Sequence, residues 1–167
     1  MKHVLRASAI GTVLALVALA LVPVAGANKP AREIIPAPDD MVIEGQCAFP
    51  VVGHIDGYEI DTTFFDNAGN PFRLRGAFPA NRSTFTNLDT GKSITVGSTG
   101  SFHRTFAPDG TSFAMVTGEG AWLGNPVTGE PGIWFQRGRV SATLDADGNP
   151  TSVNVTGTLV NLCSELA

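Results

Sequence analysis

Histidine-based proton transfer in this chain would have to use His54 or His103, because the third histidine, His3, belongs to a short basic N-terminal run. His54 precedes Asp56 by two positions, which on a strand puts both side chains on one face. His103 shares its face with Ser101 and Thr105 in the same way. Such pairs suit general acid–base work, yet they recur wherever strands are rich in Ser, Thr and Asp. No G-x-S-x-G, H-E-x-x-H or Cys–His signature accompanies them. Both histidines therefore read as ordinary strand residues, and no catalytic residue is assigned.

Other motifs yield to plainer readings. Gly91-Lys92-Ser93 ends like a phosphate-binding loop, but Thr86 stands where the first glycine belongs, and a strand follows instead of a helix. Asp145-Ala146-Asp147-Gly148-Asn149 spaces its carboxylates like the start of a calcium loop. The twelfth position is Thr156 rather than a bidentate Glu, and turn chemistry explains each residue. Arg73 with Arg75, and Arg137 with Arg139, could form an anion-binding face; a solvated sheet face accounts for them as well. Cys47 and Cys163 have no second Cys or His near them, so no metal or other cofactor is assigned. Asn81-Arg82-Ser83 and Asn154-Val155-Thr156 match the glycan-acceptor pattern, without a host to give it meaning. Trp122 and Trp134 bracket the connection 123–132. A long loop with aromatic residues at its base is the best candidate ligand-binding site, against the alternative that both tryptophans plug a core.

The elements that must position these residues are strands. Turns at 67–71, 89–92, 108–110 and 147–150 each carry Gly or Asn where positive φ is needed. They separate alternating segments at 59–65 and 72–78, 83–88 and 93–98, 102–106 and 111–117, and 139–144 and 151–162. Phe72, Leu74 and Phe78 take one face while Arg73 and Arg75 take the other. Over 133–144 the parity changes: Ile133 and Phe135 fit one phase, Val140, Ala142 and Leu144 the other. Gly138 stands at the change, which suggests a β-bulge there. Gly76, Gly97, Gly118, Gly120 and Gly157 also fall inside strand-like runs, which implies sharp curvature. The expectation is an all-β, antiparallel domain of eight or nine strands, a barrel or a strongly curved sandwich with hairpin connections. A last helical turn is expected near 164–167.

Ahead of this lies a different texture. Lys2 and Arg6 precede an uncharged apolar run over 7–22, then Pro23 and the small residues Ala25-Gly26-Ala27. That order is a secretory signal peptide, cleaved before Asn28. Residues 28–46, with Pro30, Pro36 and Pro38, read as a flexible linker, and 47–167 as a single domain. Removal of 1–27 leaves nine Lys and Arg against fifteen Asp and Glu, a formal charge of −6. An acidic surface argues against nucleic acid as partner, and no later segment has transmembrane length. Two cysteines in an oxidising compartment favour a Cys47–Cys163 disulfide over two buried thiols.

Cys47-Ala48-Phe49-Pro50-Val51, the run from Thr86 to Ser93 through Asn87-Leu88-Asp89-Thr90-Gly91-Lys92, and Cys163 near the end form a recognisable series. With Gly138-Arg139 and Asp147-Gly148-Asn149, it resembles a group of small exported proteins common in actinobacteria. The resemblance implies secretion and the terminal disulfide, and brings no activity or site. Three functions are compatible with all this. The first is a non-enzymatic extracellular interaction module, whose partner would be a protein or the cell envelope. The second is a small-molecule carrier with an apolar interior near Trp122 and Trp134. The third is a barrel-type isomerase or cyclase with a histidine beside a carboxylate in a cavity. The intact mass of protein recovered from its own culture medium should start at Asn28 and gain two hydrogens on reduction; a mass including 1–27 would overturn the export reading.

Overall fold

The computed structural model describes residues 28–38 and 40–167, so the segment read as a signal peptide lies outside the described residues. Two strands lie in the stretch read as linker, β1 (Ala31–Pro36) and β2 (Met41–Ile43). β1 is exposed along its whole length and is held by backbone pairing, so it has no alternating pattern to betray it. The rest follows the turns: β3 (Val51–Asp56), β4 (Tyr58–Phe65), β5 (Pro71–Phe78), β6 (Arg82–Asn87), β7 (Ser93–Gly97), β8 (Gly100–Phe106), β9 (Ser112–Leu123), β10 (Ile133–Leu144) and β11 (Pro150–Asn161). A single helical turn, α1 (Cys163–Leu166), ends the chain.

Every pairing is antiparallel. One sheet runs β1-β4-β5-β8-β9-β10-β11 and the other β2-β3-β6-β7. Among the described residues the stretch read as the domain holds nine strands, β3 to β11, in keeping with the eight or nine expected. β1 and β2 bring the total to eleven, and neither sheet closes into a barrel. β1 and β11 are left as the edges of the larger sheet, β2 and β7 as those of the smaller.

The curvature implied by the glycines takes the form of a row. Gly100, Gly118, Gly138 and Gly157 stand directly opposite one another on β8, β9, β10 and β11. At Gly118, φ is +120°, and a Cβ there would run into the Thr99 carbonyl oxygen and the Gly100 backbone. At Gly138, φ is +135°, and a Cβ would meet the Thr156 carbonyl. Neighbouring backbones approach here more closely than any side chain permits, and the sheet is creased along the row.

The crease also corrects the bulge expected at Gly138. Register is continuous across it, and the shifts fall instead between Thr143 and Leu144 and between Phe64 and Phe65. The parity change over 133–144 has another cause. Ile133 and Phe135 are covered before the glycine row together with Gln136 of the other parity, whereas beyond it Val140, Ala142 and Leu144 are covered while Arg139 and Thr143 are exposed. On one side of the row, Ala121, Ile133 and Phe135 pack with Ile43, Val51 and Phe85 of the smaller sheet and with Leu162 and Leu166. On the other, Ala114, Val116, Val140, Ala142 and Leu144 line a cavity.

The chain ends are tied to the smaller sheet. Cys47 and Cys163 form a disulfide with Cα atoms 5.4 Å apart, closing a separation of 116 residues. In the chain-entropy model such a loop stabilises by about 5 kcal/mol. Asn87 donates through Nδ2 to the Leu166 carbonyl at 2.9 Å and accepts from the Asp89 amide at 2.9 Å. Lys92, the residue that suggested a phosphate loop, donates to an oxygen of Ala167 at 3.0 Å.

Gly118→Ala combines strained φ with a clash against backbone, and should cost about 3 kcal/mol or more. Gly148→Ala, at φ +86° with nothing within 4 Å of its Cβ position, should cost only about 1–2 kcal/mol. Equal urea midpoints for the two variants would show that close approach is not what the row requires.

Candidate functional site

The cavity beside the crease has a volume of about 490 Å³, within the size range of small-molecule sites. Its floor is built from β8, β9, β10 and β11: Phe102, Val116, Val140, Ala142 and Val153, with Trp122 at one end. The strands supply these side chains at every second position, so one face of four neighbouring strands forms an apolar wall. The connection between β9 and β10 borders it through Gly124, Asn125, Pro126, Gly129 and Pro131.

That connection is internally bonded. Gly124 N–H donates to the Gly132 carbonyl and Asn125 N–H to the Glu130 carbonyl, both at 2.8 Å. The Asn125 side-chain oxygen accepts from the Val127 and Thr128 amides. Gln46, the last residue of the supposed linker, accepts the Gly132 amide proton at 2.9 Å. The polar side chains bordering the cavity thus spend their acceptor oxygens on the loop itself, and among the described residues no charged side chain lines the cavity.

The two tryptophans are cross-strand neighbours with different surroundings. Trp122 lines the cavity and donates through Nε1 to Oε1 of Gln136 at 2.7 Å. Gln136 is wholly buried, and its Nε2 donates to the Gly138 carbonyl at 3.4 Å. Trp134 is not among the lining residues; its Nε1 donates to the Glu130 carbonyl at 3.2 Å, fastening the base of the loop. Sequence reasoning missed Gln136 because a single Gln in a strand carries no signal until its partner is known.

A second cavity, of about 270 Å³, shares Phe102, Val116 and Trp122 with the first. It lies between the sheets, and its wall includes Asn81, Ser83, Ser98 and Glu119. Asn81 is 6% exposed and Ser83 4%. The Asn81 side-chain oxygen accepts from the Tyr58 amide at 3.0 Å, so this glycan-motif asparagine is a buried structural residue. Ser83 and Ser98 share one hydrogen bond at 2.5 Å between their hydroxyls.

The histidines lie outside both cavities. His54 is bonded through Nδ1 to Asp40 at 2.5 Å and through Nε2 to Asp56 at 3.1 Å, in an exposed cluster. Hydrogen bonds to both carboxylates, Asp40 first, raise its pKa above the ordinary histidine value. Asp56 was legible from spacing; Asp40 comes from the supposed linker. His103 stands beside Arg75 in register, on the face that carries Arg32 and Thr62, with no carboxylate among the residues lining that face. Arg73 lies over the Phe64 ring at 4.2 Å, and Arg137 donates through Nε to Glu119 at 2.8 Å. The Asp145 carboxylate is occupied by its own turn, accepting from the Asp147 and Asn149 amides, and the backbone bond from Asn149 chiefly lowers its pKa. Asp66 forms the same turn with Ala68 and Asn70. Among the described residues no three His, Cys, Asp or Glu side chains converge as a metal site would require. No helix among them is long and apolar enough to cross a membrane.

One acidic pair escaped the sequence reading. Glu59 and Asp61, two apart on β4, converge on the space that a Gly76 side chain would fill, 2.6 and 3.0 Å from its Cβ position. The β-carbon of Phe102 borders the same space at 3.4 Å. Desolvation, then the hydrogen bond and charge of Asp61, push the Glu59 carboxyl up to about 7. The i, i+2 spacing was a signal, but Gly76 opposite them only becomes visible with the register.

No protein-family model matches this chain, and neither a curated protein nor a solved structure proves similar to it.

Because Glu59 holds its proton in the fold up to about pH 7 but loses it near 4.5 when unfolded, the native state binds more protons between those values. Stability should therefore fall as pH rises through that window. The raised His54 pKa adds a fall in the same direction at higher pH, as the imidazolium is lost. Glu59→Gln should raise the melting temperature at pH 8 and leave it nearly unchanged at pH 4. A lower melting temperature at pH 8 would mean that the ionised carboxylate is stabilising.

Proposed function

We propose that the protein binds a small apolar molecule in the cavity walled by β8 to β11, a carrier or scavenger rather than an enzyme. The observation that carries this reading is the composition of the wall: some 490 Å³ bounded by Phe102, Val116, Val140, Ala142, Val153 and Trp122, with no charged side chain. A wall of that kind loses little by desolvation, and each square ångström of apolar ligand surface it covers contributes about 25 cal/mol. Trp122 spends its indole N–H on Gln136, so it meets a ligand with its ring. The isomerase or cyclase reading needs a histidine beside a carboxylate in a cavity, and neither His54 nor His103 lines this one or its neighbour. Among the described residues the interaction-module reading has the open edges of β1, β2, β7 and β11 and exposed apolar side chains such as Ile34, Val42, Phe113 and Val160, which are scattered over both sheets instead of collected as the cavity wall is. Secretion, with the Cys47–Cys163 disulfide as its physical counterpart, would place such a carrier outside the cell.

The neutral dye N-phenyl-1-naphthylamine should bind with a blue-shifted emission and quench tryptophan fluorescence. Ala142→Trp, which fills the cavity floor, should weaken it about tenfold, the equivalent of about 1.4 kcal/mol, with an unchanged circular dichroism spectrum. Absence of saturable binding, or equal binding by the variant, would sink the carrier reading.

A further inference from the structure

We infer that the ligand is an uncharged molecule with an apolar body and a carbonyl acceptor, the body lying against Phe102, Val140 and Ala142 and the carbonyl reaching the Asn81–Ser83–Ser98 wall; this rests on the carrier reading of the same site. The two cavities have Phe102, Val116 and Trp122 in common and so adjoin along these side chains, which places the wall of the smaller within the length of a ligand that displaces them.

The smaller cavity differs in holding donors that the protein does not use. Ser83 and Ser98 have two hydroxyl protons between them and one mutual hydrogen bond, and among the described residues neither makes another side-chain bond. One O–H therefore remains to be donated. Asn81 commits its oxygen to Tyr58, and its amide N–H groups have no partner among the described residues. Asn81 and Ser83 are both more than nine-tenths buried as residues, while the Asn81 amide nitrogen is not among the buried unpartnered atoms, so its N–H groups stay accessible to an incoming acceptor. Two spare donors beside an apolar cavity suit a group that accepts and does not donate, which is a ketone, aldehyde or ester carbonyl.

Charge is selected against at both ends. The larger cavity offers no counter-ion, and burying an unpaired charge there would be costly. In the smaller one, the charged residue of the wall is Glu119, whose carboxylate is already paired with Arg137 and so offers neither an anion nor a cation a free counter-charge.

Three probes of one shape separate these demands: 2-acetylnaphthalene, 2-ethylnaphthalene and 2-naphthoate, titrated by tryptophan quenching against the full disulfide-bonded domain. The ketone should bind about three- to tenfold more tightly than the hydrocarbon, the worth of one buried hydrogen bond. The carboxylate should bind more weakly than either. In Ser83→Ala/Ser98→Ala, the ketone should lose its advantage while the hydrocarbon keeps its affinity, which a general loss of structure would not allow. Equal binding of ketone and hydrocarbon, an advantage that survives the double variant, or preferred binding of the carboxylate would each overturn the inference and leave the carrier reading standing. Failure of all three probes to bind would remove both.

Discussion

The approach of four backbones at Gly100, Gly118, Gly138 and Gly157 is the constraint on which the rest of the structure depends. No side chain fits there, because the carbonyls of Thr99, Thr117, Thr156 and Arg137 occupy the positions that Cβ atoms would take. The crease lets one pair of long strands serve two interiors. β9 and β10 give Ala121, Ile133 and Phe135 to the core shared with the smaller sheet. They give Val116, Val140 and Ala142 to the apolar cavity. A flat sheet would bury one parity throughout its length, and the cavity and core would compete for the same residues.

Polar chemistry is arranged around this apolar floor rather than on it. Trp122 and Gln136 satisfy one another at its end, and the loop from Gly124 to Gly132 consumes its own carbonyls and amides. The titratable groups with displaced pKa values lie elsewhere. Glu59 and Asp61 share the space above Gly76, and His54 sits between Asp40 and Asp56 at the surface. Of these, the acidic pair is nearer the cavity wall, because Phe102 borders both. A proton there replaces a second buried charge, which is why the pair is tolerated.

The ends of the chain serve the smaller sheet. α1 presents Leu166 to the core beside Ile43 and Val51, and the disulfide fixes the neighbouring Cys47. The β6–β7 hairpin owes two of its residues to this task, since Asn87 and Lys92 hold the carbonyl oxygens of Leu166 and Ala167. Gln46 then links this end to the base of the β9–β10 loop. Of the N-terminal strands, β1 adds pairing alone, lying exposed against β4, whereas β2 contributes Ile43 to the core.

The sequence by itself determined whatever is local. Hairpin turns need Gly, Asn and Asp at particular φ angles, and the four turns they mark join β4 to β5, β6 to β7, β8 to β9 and β10 to β11. Alternation told strand from helix, and two cysteines at the domain's ends had only each other to pair with. Only the tertiary structure decided what depends on register between distant segments. Four glycines up to 57 residues apart become a single row, and Asp40 meets His54 from a stretch without periodicity. Asn81, Ser83 and Ser98 become a wall only when the smaller sheet lies against β9. Turn chemistry is written in adjacent residues, whereas a cavity is written in backbone pairings that no single strand contains.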